Sequence, residues 1–296
     1  MATKVTKAII PIAGLGTRFL PLSKVLPKEF FPLVDRPAIQ YIIDEAKNSG
    51  IKEIIFVNRP EKKEIGRYFT QYATSSPELK EVLKDRGKKE LLQELANLEN
   101  DAKQIAFSYV FQQKQLGDGH AILQAKQATN SEPCLVLFGD DIVDSKIPCS
   151  RQLIKTFDRY QKPVIALARL PKEKLSSYGV VKVKKVGARL YKIEGIEEKP
   201  APGQAPSDLA VVGRYVIDSR VFDFLENTPS LAHGEIKLAG AFNEMIKQGL
   251  TIYGYEFEGK WLECGNKISY LKSNFYLSLK DPRFKKELKK FLKEEI

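Results

Sequence analysis

Cysteine is scarce in this 296-residue chain, which has only Cys134, Cys149 and Cys264. An odd number without Cys-x-x-Cys spacing suggests neither a disulfide framework nor a zinc site, and fits a reducing compartment. No apolar run approaches the ~18 residues needed to cross a bilayer. The opening MATKVTK runs straight into the first apolar stretch without the charged-then-apolar pattern of a signal segment. A soluble, cytoplasmic protein with no membrane partner is therefore expected. Also missing is any basic run interleaved with aromatics, so nucleic acid is not expected as a partner either. The net charge of +11 alone does not choose between nucleic acid, an anionic membrane and a polyanionic small molecule.

Two further absences narrow the chemistry of the stretch that organises the chain, KAIIPIAGLGTRFLPLSKVLPKEFFPLVDRP from Lys7 to Pro37. Its apolar opening, Ala8 to Ala13, suits a buried strand. It then breaks into Gly14-Leu15-Gly16-Thr17-Arg18, where two glycines let the backbone turn its N–H groups toward an oxyanion and Arg18 offers a planar fork for phosphate. A dinucleotide fingerprint would need a third glycine where Phe19 stands. A P-loop would need Gly-Lys-Ser/Thr where Thr17-Arg18-Phe19 stands. Lys24 and Lys28 follow in a segment stiffened by Pro21, Pro27 and Pro32, which holds cations on a loop rather than a helix.

Several more elements can be read in order. Pro37 suits a first helical position with Asp35 as a nearby cap, and Ile39, Ile42, Ile43 and Ala46 repeat at helical spacing up to Gly50. A strand over Ile54–Val57 and a helix over Glu61–Gln71 follow. The charge-rich segment 77–103 reads as a helical insertion covering the sheet, interrupted at Gly87. Ile105, Phe107, Tyr109 and Phe111 alternate as a strand that ends at Gln112, and Gly117-Asp118-Gly119-His120 opens a helix. A terminal amide at Gln112 can pair with a carbonyl and an N–H of a base edge, and the glycines let a flat ring approach. The apolar strand Pro133–Phe138 ends in Gly139-Asp140-Asp141. An aspartate at a strand's carboxyl end is placed to hold a cation such as Mg²⁺ over bound phosphates. Glu197-Glu198-Lys199-Pro200 supplies a carboxylate for sugar hydroxyls and a lysine for a sugar phosphate.

The ordered set of Gly14–Pro21, Pro27-Lys28-Glu29 and Leu33–Pro37 resembles the signature of the sugar-1-phosphate nucleotidylyltransferases, in their bacterial UTP:glucose-1-phosphate uridylyltransferase branch. The resemblance runs from Lys7 to about Leu279. It implies a Rossmann-like α/β nucleotidyltransferase fold: a mixed, mostly parallel sheet flanked by helices, with a sugar-binding subregion. It also implies a Mg²⁺-dependent transfer of UMP from UTP to glucose 1-phosphate. Ala13, Gly14, Gly16, Thr17, Arg18, Glu29, Gln112 and Gly117 would bind the nucleotide. Gly179, Glu198 and Lys199 would bind the sugar phosphate, and Asp140 with Glu263 the metal, while Asp141 and Asp144 support the loop. Arg18, Lys28, Asp140 and Lys199 would carry the catalysis. The chain departs from the pattern at Asp118, where Leu is usual, at Lys237, Ala239 and Gly240, which replace the polar residues of GEIQLTDA, and at Glu263, where Asp is usual. Another hexose 1-phosphate, dTTP, or a non-catalytic UDP-sugar-binding role are the remaining readings.

In domain terms, residues 1–279 are expected to form the catalytic unit. Residues 280–296, with seven basic and four acidic side chains and Phe284, Leu288, Phe291 and Leu292 at helical spacing, form an amphipathic C-terminal helix suited to subunit contact. A homodimer or homotetramer is the expected assembly.

Overall fold

The computed structural model describes residues 4–62, 64–65, 68, 77–229 and 234–295. In chain order its strands are β1 (Lys7–Pro11), β2 (Pro32–Leu33), β3 (Arg36–Pro37), β4 (Glu53–Asn58), β5 (Ala106–Phe111), β6 (Cys134–Leu137), β7 (Asp141–Asp144), β8 (Val164–Arg169), β9 (Gly179–Lys185), β10 (Leu190–Glu198), β11 (Leu209–Ile217), β12 (Tyr253–Glu256) and β13 (Lys260–Glu263). Nine of them form one sheet in the order β5-β4-β1-β6-β11-β8-β12-β10-β9.

Successive side chains on a strand point to opposite faces, so the all-apolar strands of this sheet need a cover on both sides. Ala8, Ile10, Ile54, Phe56, Leu135 and Leu137 belong to one core cluster, together with Ile39, Ile42, Ile43 and Ala46 of the helix Ala38–Asn48 and Leu153 and Phe157 of the helix Cys149–Tyr160. Ile9, Ile55, Val57 and Val136 belong to the other, with Val221, Phe222 and Leu225 of the helix Arg220–Asn227 and Phe242 and Met245 of the helix Leu238–Lys247. Each buried Val, Leu, Ile, Phe or Met among them contributes roughly 1.5–3 kcal/mol by leaving water.

The expectation of a mostly parallel sheet holds for only half of it. The β5-β4-β1-β6 half is parallel throughout. Beyond β6, strand β11 runs antiparallel to β6, β8 and β9, and β10 runs antiparallel to both its neighbours, leaving β8–β12 as the parallel pair on that side. Apolar runs give burial but not pairing direction, which is why the sequence does not reveal the switch. The parallel half places the carboxyl ends of β1, β4, β5 and β6 at one edge, the position where open α/β sheets bind ligands.

Asp35 does not cap the Ala38–Asn48 helix. That helix starts from Pro37 without a side-chain cap, and Asp35 pairs instead with Arg283 at 2.6 Å. The insertion is two helices, Pro77–Asp85 and Lys89–Lys103, broken at Gly87 with φ of 65°. The first buries no residue, so it adds a solvated surface rather than a covering layer. Most of the helix expected over 61–71 lies outside the described residues. The C-terminal residues form the helix Pro282–Glu295, which packs on the preceding helix Lys267–Lys280.

Candidate active site

The loop after β1 turns on Gly16, whose φ of 66° lies in the left-handed region that favours glycine. Gly14 faces open space: a side chain there would meet nothing within 4 Å. Together with the carboxyl ends of β5 and β6, this loop encloses a cavity of about 360 Å³. Its walls include Ala13, Gly14, Gly16, Thr17, Lys28, Glu29, Gln112, Gly117 and Asp140, nine of the residues expected from the sequence. Gln112 is buried, and its Nε2 donates to the Gly117 carbonyl at 3.1 Å and lies 3.0 Å from His120 Nδ1, which fixes the amide plane. Gly117 has φ of 93°, and a side chain there would run into Glu235 and the Ile236 carbonyl. Glu29 forms part of the floor. One of its oxygens pairs with Lys62 at 3.3 Å, and Lys62 also donates to the Ile12 carbonyl at 2.8 Å, so this buried pair props up the start of the loop.

Asp140 sits where β6 ends. Lys28 Nζ donates to Asp140 Oδ2 at 2.6 Å. Burial would push the Asp140 carboxyl up, but the Lys28 charge and hydrogen bond, with Arg18 nearby, hold it below the usual carboxylate range. The neighbouring Asp141 goes the other way, raised by burial and by the Asp140 charge. Its oxygens are committed to structure, accepting from Trp261 Nε1 at 2.7 Å and from the Gly213 amide at 3.0 Å. Asp144 likewise holds the chain together, accepting from Tyr276 at 2.8 Å and from Lys280.

A second cavity of about 850 Å³ opens on the other side of Asp140 and contains Arg18, Lys199 and Glu263, joined by Lys174, Lys260 and Lys272. Arg18 thus lies with Lys199 rather than with the rest of its own loop, and its Nη1 donates to the Gly265 carbonyl at 3.4 Å. Gly265 is the point where these groups converge. A Cβ there would lie 3.3 Å from Asp140 Oδ2, 3.6 Å from Arg18 Nη1 and 3.6 Å from Glu263 Oε1. Glu263 already accepts from Tyr178 at 2.7 Å, Ser269 at 2.8 Å and Asn266 at 3.2 Å. Among the described residues no group of three His, Cys, Asp or Glu could hold a metal on its own. Asp140 and Glu263 beside one glycine do fit Mg²⁺, which takes one or two protein carboxylates and completes its shell with substrate phosphates and water.

The third cavity, about 190 Å³, contains Gly179 and Glu198. Gly179 lies close against the Glu198 carboxylate: a Cβ there would be 3.2 Å from Glu198 Oε2. Glu198 Oε1 pairs with Lys237 at 3.3 Å. Asp118 and Phe138 line both this cavity and the first, while Ser177 and Tyr178 line both this one and the second.

Sequence reasoning missed the supports of this constellation. Arg214 is completely buried, its guanidinium paired with Glu45 at 3.0 Å and donating to the carbonyls of Phe138 at 3.0 Å, Gly213 at 3.0 Å and Asp141. It thereby clamps both sides of the Gly139–Asp141 turn. An arginine inside the apolar strand LAVVGRYVI was the available signal, since an unpaired charge there is too costly to keep. For Gly265 the signal was its place in the element WLECGNK.

The chain has relatives in sequence and in fold. Residues 7–278 match the family model described as nucleotidyl transferase. The chain is 40% identical over 291 residues, 98% of both chains, to a protein of Staphylococcus haemolyticus named UTP–glucose-1-phosphate uridylyltransferase. Among solved structures it is similar to UTP-bound UGPase from Acinetobacter baumannii, with 36% identity, a TM-score of 0.87 and 98% of this chain and 99% of that one covered. It is also similar to a UDP-glucose pyrophosphorylase complexed with UDP-glucose, with 32% identity, a TM-score of 0.83 and coverage of 94% and 100%. The chain belongs to the nucleotidyl transferase family, within its group of UTP–glucose-1-phosphate uridylyltransferases.

Proposed function

We propose that the chain transfers UMP from UTP to glucose 1-phosphate, giving UDP-glucose and pyrophosphate. The observation that carries this reading is a set of three adjoining cavities: the sugar cavity shares Asp118 and Phe138 with the base cavity and Ser177 and Tyr178 with the cation-rich one, and Asp140 of the base cavity lies beside Gly265 with Arg18 and Glu263 of the cation-rich one. One has a fixed amide and close backbone for a base, one is rich in cations, and one pairs a carboxylate with a glycine for a sugar. In the reaction a phosphate oxygen of glucose 1-phosphate forms a bond to the α-phosphorus of UTP while the bond from that phosphorus to the bridging oxygen breaks. Pyrophosphate leaves with the electron pair. No enzyme nucleophile is required, so catalysis rests on alignment and on charge held in place before the reaction.

Gln112, with Ala13, Gly14 and Gly117, orients uracil. The loop amides around Gly16 and Thr17, with Arg18 and Lys28, hold the triphosphate, and Lys199 presents the acceptor phosphate. Mg²⁺, when bound by Asp140 and Glu263, supplies Lewis-acid neutralisation of the phosphate oxygens. Lys28, paired with Asp140 Oδ2 in this structure, keeps that carboxylate ionised.

We assign the catalytic unit to residues 1–279 and subunit contact in a homodimer or homotetramer to the helix at 280–296, where Phe284 and Phe291 are exposed. We keep a cytoplasmic location as the reading that three buried free cysteines support. The test is pyrophosphate release by purified protein with UTP, glucose 1-phosphate and Mg²⁺. Release dependent on all three is the expected result. Binding of UDP-glucose without any release would instead mark a sensor of sugar nucleotides.

A further inference from the structure

The residue that departs from the family pattern at the edge of the base cavity also reaches the sugar cavity. Asp118 follows Gly117 and lines both spaces. The segment it belongs to is laced to the one before the Leu238–Lys247 helix: the Gly119 amide donates to the Ile236 carbonyl at 3.0 Å, and the Ile236 amide to the Leu116 carbonyl at 2.8 Å. That helix starts after Lys237, whose own side chain makes no cap. Its first-turn amides need acceptors from elsewhere. Asp118 supplies one: Oδ1 accepts from the Leu238 amide at 3.0 Å and from the Gly119 amide at 2.6 Å. Both bonds use the same oxygen. The second oxygen, Oδ2, has no hydrogen-bond partner among the described residues.

A carboxylate with one oxygen fixed by two backbone amides cannot rotate away from its surroundings, so Oδ2 is a positioned acceptor in search of a donor. The sugar cavity as it stands supplies none: Phe138, Ile196, Val211, Ala239 and Phe242 are apolar, Lys237 is already held by Glu198 at 3.3 Å, the Tyr178 hydroxyl donates to Glu263, and among the described residues no hydrogen bond links the Ser177 or Tyr215 hydroxyl to Oδ2. A hydroxyl-rich ring entering the cavity brings donors with it. We propose that Asp118 is a specificity-determining residue for the acceptor, its Oδ2 accepting a hydrogen bond from one ring hydroxyl of the hexose 1-phosphate while Glu198 accepts from another. The inference rests on the uridylyl-transfer reading above and deepens it. Sugar selection here involves a carboxylate in the first turn of the base-side helix Gly117–Leu123, so the two cavities share a recognition element.

The test combines substrate and enzyme changes. Glucose 1-phosphate and its 2-, 3-, 4- and 6-deoxy analogues are compared by kcat/KM in wild type, Asp118→Asn and Asp118→Leu. A site built to bond a hydroxyl rejects the analogue lacking it, so one deoxy sugar should lose about tenfold or more in wild type. In both variants the penalty for that same analogue should fall to less than about threefold, with the other penalties and the UTP to CTP ratio unchanged. Asp118→Asn keeps an oxygen for the helix cap, so it tests the proposal even if Asp118→Leu does not fold. Identical deoxy penalties in wild type and Asp118→Asn would overturn the proposal and leave Asp118 as a cap alone. A shifted UTP to CTP ratio with unchanged sugar penalties would overturn it in favour of a role toward the base. Failure of wild type to use any hexose 1-phosphate would overturn the uridylyl-transfer reading itself, and this proposal with it.

Discussion

The nucleotide side of the cleft is shaped mainly by backbone and the acceptor side mainly by side chains. Around the base, Gly14 leaves open space, Gly16 and Gly117 have positive φ, and the walls come from the ends of parallel strands. Around the sugar, Glu198 projects from the end of strand β10, in the half of the sheet where pairing is mostly antiparallel, Asp118 from the first turn of the helix Gly117–Leu123, and Lys237 from the residue that precedes the helix Leu238–Lys247. Where backbone forms the wall there is little to retune except the glycines, whereas walls made of side chains, Gln112 among them, can be retuned one residue at a time. The departures from the family pattern at Asp118, Lys237 and Ala239 all line the sugar cavity, with Gly240 next in the chain, as this difference would lead one to expect.

The largest effect should come where the base cavity adjoins the cation-rich one. Asp140→Asn removes the ionised carboxylate shared by Lys28 and the proposed metal, and should lower kcat by ~10² or more, the scale of losing one preorganised electrostatic group. Folding should survive, because the buried clamp on this turn is Arg214 with Glu45, which thermal melting of the variant would verify. Next, Lys199→Ala should damage the acceptor side alone, raising KM for glucose 1-phosphate by about tenfold while KM for UTP changes little. Because Arg18 lines the same cavity as Lys199, Arg18→Ala should impair both substrates; a defect confined to UTP would separate the two cations more sharply than their shared cavity implies.

On the nucleotide side, Gln112→Ala should narrow selectivity. Uracil presents an N–H and carbonyls that a side-chain amide can match, and cytosine presents a different order that leaves groups unpaired at ~1–3 kcal/mol each. The UTP to CTP ratio in kcat/KM should therefore exceed about tenfold in wild type and shrink in the variant. An unchanged ratio would mean that the backbone near Ala13, Gly14 and Gly117 reads the base.

The smallest expected effect lies outside both cavities, at Asp144. Burial acts to raise its carboxyl, but hydrogen bonds from Lys280 and Tyr276 and the Lys280 charge outweigh it and hold it below the ordinary value. A depressed folded-state pKa stabilises above the unfolded value, ~3.9, and that stability is lost as pH falls through the folded value. Asp144→Asn should thus melt slightly below wild type at neutral pH, by no more than about 1 kcal/mol for so accessible a pair, and the gap should close in acid.

This contrast also explains what was legible in the sequence. The loop at Gly14–Arg18, the Lys28 segment and Asp140 announce themselves because glycine, proline and charge punctuate otherwise apolar runs, and each punctuation has a local backbone cause. Gly179, Glu198 and Lys199 were found through the resemblance, since Glu-Glu-Lys-Pro on its own is an ordinary surface turn. What stayed hidden depends on contacts between distant parts of the chain. The second oxygen of Glu263 is taken by Tyr178 and Ser269, Asp141 is bonded to Trp261, and Asp118 caps a helix that begins 120 positions later. The antiparallel half of the sheet was hidden for the same reason, because strand direction is set by the connections and not by the strands.

The most direct test of the central claim, that one cleft divides into a backbone-built base site and a side-chain-built sugar site joined at Asp118 and Phe138, is a crystal structure of the protein with UDP-glucose bound. The account predicts uracil beside Gln112 and Gly117, the glucose ring over Gly179 within hydrogen-bond distance of Glu198, and the diphosphate passing Asp140. Uracil bound among Lys174, Lys199 and Lys260, or glucose lying outside the cavity formed by Gly179 and Glu198, would contradict it.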